Sequence, residues 1–313
     1  MTQYIVRRLL MLPVVLLGVS VLVFMVLHLV PGNPAQVIAG ADAPPETVRQ
    51  IEVELGLDKP LPEQYAIYLS RVVQGDLGRS LRSRRPVLSD VLDALPNTIE
   101  LTLVAAVITP LVAIPLGVIA AARRRSIVDS GLMLVSMLGI TLPSFALALG
   151  LMWLFGYQLR WFPISGNGGP VWTPEGLRSV VLPALTLAIA AVATLARLTR
   201  SAMLEVLNQD FVRTARAKGL RERAVLLRHG LANALLPVVT VIGLQVAILL
   251  SGAFVTETVF AWPGIGRLAV FAINARDFPV VQGTVLVIAV VFVLVNLAVD
   301  VLYAYVDPRI HYG

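Results

Sequence analysis

The sequence contains no cysteine, which excludes disulfides, thiolate nucleophiles and sulfur-ligated metal sites. Its three histidines, His28, His229 and His311, are far apart and form no HExxH pattern, which argues against a zinc site. No GxxxxGK[ST] phosphate loop occurs, so the chain lacks that means of binding and hydrolysing ATP itself. No recognisable catalytic Ser, Asp or His motif supports an enzyme. Charge is scarce as well, at 14% of residues, against about 25% in soluble domains. What fills the chain is apolar: 57% of the 313 residues are hydrophobic and the mean hydropathy is +0.82, which excludes a soluble enzyme of this size.

The few charges are placed unevenly. Six charge-free runs of eighteen residues or more remain, at 9–41, 101–122, 130–159, 179–196, 229–256 and 278–299. A helix needs about 20 residues to cross a bilayer. Hydrocarbon offers no water to a free backbone, and the strict alternation of a barrel strand is missing, so these runs are predicted to be helices. The expected fold class is all-α, a polytopic membrane protein of six transmembrane helices with an extracytoplasmic insertion between helices 1 and 2. The expected divisions are the N-terminus and first span at 1–30, the insertion at 31–98, a five-helix core at 99–306 and a cytoplasmic tail at 307–313.

Basic residues set the orientation. Arg7 and Arg8, Arg123 to Arg125, eight Lys/Arg between Arg197 and Arg228, and Arg309 put fourteen on one side, against four at Arg160, Arg178, Arg267 and Arg276 on the other. Both termini are therefore expected in the cytoplasm, and the net charge of +6 reports orientation rather than nucleic acid. Ala41-Asp42-Ala43 after the first apolar run imitates a signal cleavage site. The 22-residue run from Leu9 to Val30 exceeds the roughly 7–15 residues of a signal peptide's core, so a retained helix is expected.

Within the insertion, Val48, Ile51 and Leu55 follow Pro44-Pro45 at helical spacing and end at Gly56. Tyr65, Tyr68, Leu69 and Val72 share a face after Pro62 and end before Gly75. Two short amphipathic helices are expected, either capping a pathway or shielding the bundle. Pro110, Pro115, Pro143 and Pro183 fall inside spans, where each removes a backbone hydrogen bond and tends to bend its helix. Ala184, Ala188, Ala191 and Ala196 mark the fourth span as a close-packing helix.

Ionisable residues near the spans, His28, Glu257 and Asp300, sit towards span ends, which gives little support to ion-driven transport. If ATP drives the process, another polypeptide hydrolyses it. The segment 199–236 is the most informative. Helical character runs to Lys218, Gly219 breaks it, and an apolar set at Val225, Leu226, Leu231 and Leu235 follows. A solvated basic loop explains the arginines but not the glycine-marked corner with an apolar face, which points to a docking element.

Several motifs in order resemble one family. They are Tyr4-Ile-Val-Arg-Arg-Leu-Leu, Pro31-Gly-Asn-Pro-Ala, Leu55-Gly-Leu-Asp-Lys-Pro-Leu, Gly75-Asp-Leu-Gly-Arg-Ser, the stretch Asp210 to Leu220, Glu257-Thr-Val-Phe-Ala-Trp-Pro-Gly-Ile-Gly-Arg-Leu and Asp277-Phe-Pro-Val-Val-Gln-Gly. Over nearly its whole length the chain resembles inner-membrane permease subunits of bacterial ABC importers, in the dipeptide, oligopeptide, glutathione and nickel branch. The resemblance implies a non-catalytic subunit of the inner membrane. Its partners would be a second permease in a heterodimer, two ATPase subunits that use ATP and Mg, and an extracytoplasmic substrate-binding protein; no cofactor is expected in this chain.

The same resemblance implies that Arg213, Thr214, Ala215, Arg216, Ala217, Lys218, Gly219 and Leu220 form the ATPase-coupling loop. Arg213 stands where the general permease motif has glutamate, and Leu236-Pro237 lies farther from the glycine than in that motif. Glu257, Trp262, Pro263, Gly264 and Gly266 form the family motif near the outer mouth. By residue type this is a turn after a membrane helix with its tryptophan at the lipid interface, an architectural element. Peptides or glutathione are the expected substrates, with a nickel chelate as the alternative and an ion-coupled secondary transporter as the competing class.

Overall fold

The computed structural model describes residues 2–29, 34–40 and 43–306. Most of the Ala41 cleavage-like site, the start of the Pro31 motif and the tail with Arg309 and His311 lie outside the described residues, as do the side chains of His28 and Asp300. Among the described residues the structure is helical, apart from an isolated antiparallel bridge between Arg79 and Pro86. The chain divides into two compact units, Met1–Asn97 with Pro263–Leu297, and Thr98–Trp262 with Ala298–Gly313.

The first unit contains α1 (Thr2–Leu29), the short α2 (Pro34–Ala39), α3 (Pro45–Leu55) and α4 (Leu61–Val73). It also contains the start of α5 (Val87–Ala122), then α12 (Ile265–Ala275) and most of α13 (Phe278–Val306). Proline opens α3 and α4, where a missing N–H is harmless, and Gly56 ends α3 at φ 70°. These are the two short amphipathic helices expected from the sequence. The face of α4 with Tyr65 and Tyr68 meets Phe24 of α1, at ring separations of 5.5 and 5.7 Å. The Ser20 and Tyr65 hydroxyls share a 2.7 Å hydrogen bond, and Gln282 of α13 donates to the Val23 carbonyl at 3.0 Å. Burial and the neighbouring Tyr65 push the Tyr68 hydroxyl up to about 12, so it stays neutral. Elsewhere α1 exposes Leu10, Val14 and Leu22, as a lipid-facing helix does.

The second unit holds the rest of α5, then α6 (Ile127–Thr141), α7 (Ser144–Leu151) running into a π-helical segment Met152–Gln158, and α8 (Pro174–Leu207). After α8 come α9 (Asp210–Ala217), a single turn α10 (Glu222–Ala224), a second π segment Val225–Leu231, and α11 (Ala232–Val259). Among the described residues, four helices are long and apolar enough to cross a membrane: α5, α8, α10 to α11 taken together, and α13. The apolar run at 130–159 is not one straight helix. The α6 and α7 stretches meet at 110°, because Pro143 forces Leu142 before it into extended backbone, at ψ 130°. By contrast α5 and α8 continue unbroken through Pro110, Pro115 and Pro183.

The hub of this unit is α8. It packs most extensively on α11 and α6, and Ala184, Ala188, Ala191 and Ala196 all lie in its buried face. Small residues on its neighbours allow the approach. A Cβ on Gly117 of α5 would sit 2.6 Å from the Thr199 Cβ and 2.7 Å from the Ala196 carbonyl oxygen. Gly117→Val therefore overpacks this contact and lowers stability by about 1–3 kcal/mol. Gly131→Val on α6, where nothing lies within 4 Å of the added Cβ, serves as the control. Thermal unfolding in nanodiscs should show a lower Tm for the first variant and not for the second; equal Tm values would refute the close-contact account.

Candidate functional site

The corner between α8 and α11 is built from a helix end. Lys218 caps α9, and Gly219 takes φ 76° in the left-handed region that glycine enters without steric penalty. The Gly219 N–H donates to the Arg216 carbonyl at 2.9 Å and the Leu220 N–H to the Ala215 carbonyl at 3.4 Å. Those two bonds satisfy the last helical carbonyls and redirect the chain. A Cβ at Gly219 would have open space around it, so the demand on this position is conformational rather than steric.

One face of α9 is fixed. Val212 and Ala215 are buried with Val225 of the π segment against Ala202, Met203 and Val206 of α8, Ala121 of α5 and Ala234 of α11. Gly230 brings the π segment close to α8, since a Cβ there would lie 3.1 Å from the Met203 side chain. Arg216 clasps Glu222 across the turn with bonds of 3.1 and 2.7 Å, and the carboxylate raises the guanidinium pKa further. The opposite face is open. Of the eight residues from Arg213 to Leu220 only Ala215 is buried, and Phe211 and Leu220 add apolar surface to a basic rim. The structure thus collects the sequence-predicted residues on one surface anchored to three long helices.

A second lock near this corner is not visible in the sequence. Arg200 of α8 makes a bidentate pair with Asp129 of α6, at 2.6 and 2.7 Å. Asp129 also accepts from the Arg125 N–H, while its own N–H donates to the N-capping Ser126 hydroxyl. The Ser126-x-x-Asp129 pattern signals a helix start, but nothing local marks Arg200 as the partner.

The motif from Glu257 to Gly266 is largely buried. In the second unit, Glu257 is fully buried and accepts from the Thr98 hydroxyl at 2.6 Å. Trp262 corrects the expectation from its residue type, which placed it at the lipid interface. It is fully buried against Leu101, Ala105, Val180, Ala184 and Leu249. The turn that carries it inward starts at Ala261, at φ 52°, with the Trp262 N–H donating to the Glu257 carbonyl at 2.8 Å. In the first unit, Asn97 donates to the Pro263 carbonyl at 3.1 Å, and Gly264 and Gly266 are buried.

The first unit also joins two motifs far apart in sequence. Ser80, which ends the Gly75 motif, donates its hydroxyl to Asp277 Oδ2 at 2.6 Å, and the Leu81 N–H donates to Oδ1 at 3.2 Å. Both Ser80 and Asp277 are buried. At the other end of the Asp277 motif, a Cβ on Gly283 would overlap the Val87 side chain.

The family model described as binding-protein-dependent transport system inner membrane component matches residues 113–312, and its N-terminal counterpart matches residues 1–102. The chain is 42% identical to the dipeptide transport system permease protein DppB of Alkalihalophilus pseudofirmus and 43% identical to the glutathione transport system permease protein GsiC of Escherichia coli. It is 47% identical to a putative peptide transport system permease protein of Brucella suis, and each of the three matches covers 100% of both chains. In fold it is similar to a chain of the inward-facing MetNI methionine ABC transporter. That match has a TM-score of 0.56 at 19% identity and covers 69% of this chain and 96% of that one.

The Ser80–Asp277 lock is open to a direct check. Asp277→Ala removes a buried acceptor from a hydroxyl and backbone N–H groups, a loss of about 1–3 kcal/mol. Amide exchange in residues 80–85 should speed up at least about tenfold by the same reasoning. Unchanged exchange would mean that the loop is held by other contacts.

Proposed function

The chain belongs to the family of binding-protein-dependent transport system inner membrane components, and we propose that it is one permease subunit of an ATP-driven importer of peptides. In this reading it forms half of a translocation pathway with a second, different permease. Two ATPase subunits bind ATP and Mg, and an extracytoplasmic binding protein delivers a di- or oligopeptide or glutathione. The names of the full-length relatives at 42–47% identity support peptides as the substrate class.

The observation that carries the reading is the corner at Gly219. Its exposed face, Arg213, Thr214, Arg216 to Leu220, is what an ATPase groove would hold, and its buried face is continuous with α5, α8 and α11. A push on α9 is transmitted because the packed core between α9 and α8 does not deform easily. In the membrane, α1, α5, the bent α6–α7 pair, α8, α11 and α13 make six crossings, with both termini in the cytoplasm. The 28 residues of α1 span about 42 Å at 1.5 Å per residue, enough for the first crossing.

Orientation is tested with single cysteines at Lys59 and Arg124, both exposed. An impermeant thiol reagent added outside should label position 59 and leave position 124 unlabelled; the reverse pattern contradicts the topology.

Coupling is tested at Gly219. Because the position needs a left-handed backbone and not a small volume, Gly219→Asn should retain most transport, since Asn tolerates that region. Gly219→Val should reduce transport and binding-protein-stimulated ATP hydrolysis at least about tenfold through strain at that φ, at normal membrane abundance. Equal transport by both variants would remove the coupling assignment.

A further inference from the structure

The loop between the π segment Met152–Gln158 and α8 is fixed by backbone bonds and close approaches. The chain turns at Arg160, at φ 55°, and the Trp161 N–H donates to the Phe155 carbonyl at 2.9 Å. Glycine is the usual residue at such a left-handed stop, and here an arginine side chain is kept in its place. Gly156 lets Ile164 approach, since a Cβ there would lie 2.9 Å from it, and a Cβ on Gly168 would lie 2.6 Å from the Glu175 carbonyl oxygen. The Gly166 N–H donates to the Phe260 carbonyl at 2.8 Å and the Gly168 N–H to the Ser179 hydroxyl at 3.0 Å. Between this loop and the start of α8 lies an open groove of about 440 Å³.

Three charged side chains line the groove, Arg160, Glu175 and Arg178, and all three are exposed. Arg178 is held by one guanidinium nitrogen, which donates to the Trp161 carbonyl at 2.9 Å, and its other donors stay available. Although they share a groove, the three form no ion pair with one another or with any other side chain among the described residues. The groove therefore offers separate places for opposite charges. An anion alone would meet the Glu175 carboxylate, and a cation alone would meet two guanidinium groups. A ligand that carries both charges satisfies all three side chains.

The surroundings point to lipid as its source. Trp153, Tyr157, Trp161 and Trp172 are exposed on the segments that form the groove, and such rings gather at the headgroup level of a bilayer. On α7, which leads into the π segment, Phe145 and Leu149 are exposed as well, a surface suited to acyl chains.

We propose that this groove seats the headgroup of a phosphatidylethanolamine molecule, with its phosphodiester on Arg160 and Arg178 and its ammonium on Glu175. The acyl chains then run along the exposed apolar side of α7 and the π segment. A primary ammonium donates hydrogen bonds to a carboxylate and a trimethylated one cannot, so the site distinguishes phosphatidylethanolamine from phosphatidylcholine. The leaflet is the outer one in the topology proposed above. Cysteine labelling at position 59 decides the leaflet, and the binding measured below does not depend on it.

The test uses the complete transporter purified in detergent, stripped of lipid and titrated with short-chain phosphatidylethanolamine or phosphatidylcholine, with bound lipid counted by native mass spectrometry. The unaltered transporter should bind phosphatidylethanolamine roughly tenfold more tightly than phosphatidylcholine. Arg160→Asn with Arg178→Gln removes both cations and keeps a residue that accepts the left-handed turn; it should weaken the binding of both lipids at least about tenfold. Glu175→Gln should erase the preference between the two lipids while the phosphodiester is still bound. Because that preference is a ratio measured within one folded protein, general destabilisation does not imitate its loss. Equal affinities in the unaltered transporter overturn the proposal, and so does a preference that survives Glu175→Gln. A soluble dipeptide is also a zwitterion, and at millimolar concentration it should leave the lipid bound. Displacement by the dipeptide would assign the groove to cargo and overturn the lipid as its occupant.

Discussion

Helices that meet inside a bilayer gain little from shedding solvent, because lipid tails are as apolar as their own side chains; contact distance and polar ties must hold them. The second unit depends on this constraint at α8. Its alanine-lined face admits Gly117 of α5 against Ala196 and Thr199, Gly139 of α6 against Ile189, and Gly252 of α11 against Leu187. Where α8 leaves this packing, the Arg200–Asp129 pair takes over and fixes it to the first turn of α6. Larger residues at those glycines would separate the helices, and the corner beyond Leu207 would lose its base.

In the proposed reading that corner receives force from a partner, and it combines two properties that such a role needs. Val212, Ala215 and Val225 place α9 in one buried cluster with residues of α8, while the arginines, Lys218 and Leu220 stay exposed on its outer face. The turn between them is closed by backbone bonds at Gly219 and by the Arg216–Glu222 clasp. In the first unit a buried carboxylate has a comparable task, as Asp277 organises a loop nearly two hundred residues earlier in the chain through Ser80 and Leu81.

The features legible in the sequence are those with a local cause. Charge-free runs marked the long helices, proline and glycine bounded α3 and α4, and Lys218-Gly219 marked the end of α9. Pro143 marks a bend in the third apolar run, but neither that its bend reaches 110° nor that α5 and α8 run unbroken through their prolines is legible, because hydropathy does not record backbone direction. Trp262 was misplaced for a related reason: its residue type suits an interface, but the turn at Ala261, which no glycine announces, carries it into the core. The pairs Arg200–Asp129 and Ser80–Asp277 were illegible because no local rule assigns a charge or a hydroxyl its distant partner. The family motifs did contain the second pair, although as separate words whose physical link appears only in the fold.

In the proposed reading the pathway is driven by ATP hydrolysed in partner subunits. Uptake of a labelled peptide into vesicles carrying the complete assembly, with its loaded binding protein on the outer side, tests this most directly. Uptake is expected when ATP and Mg are inside and no ion gradient is present, and none when an ion gradient is imposed without ATP. Accumulation driven by the gradient alone would contradict it and would make the chain a secondary transporter.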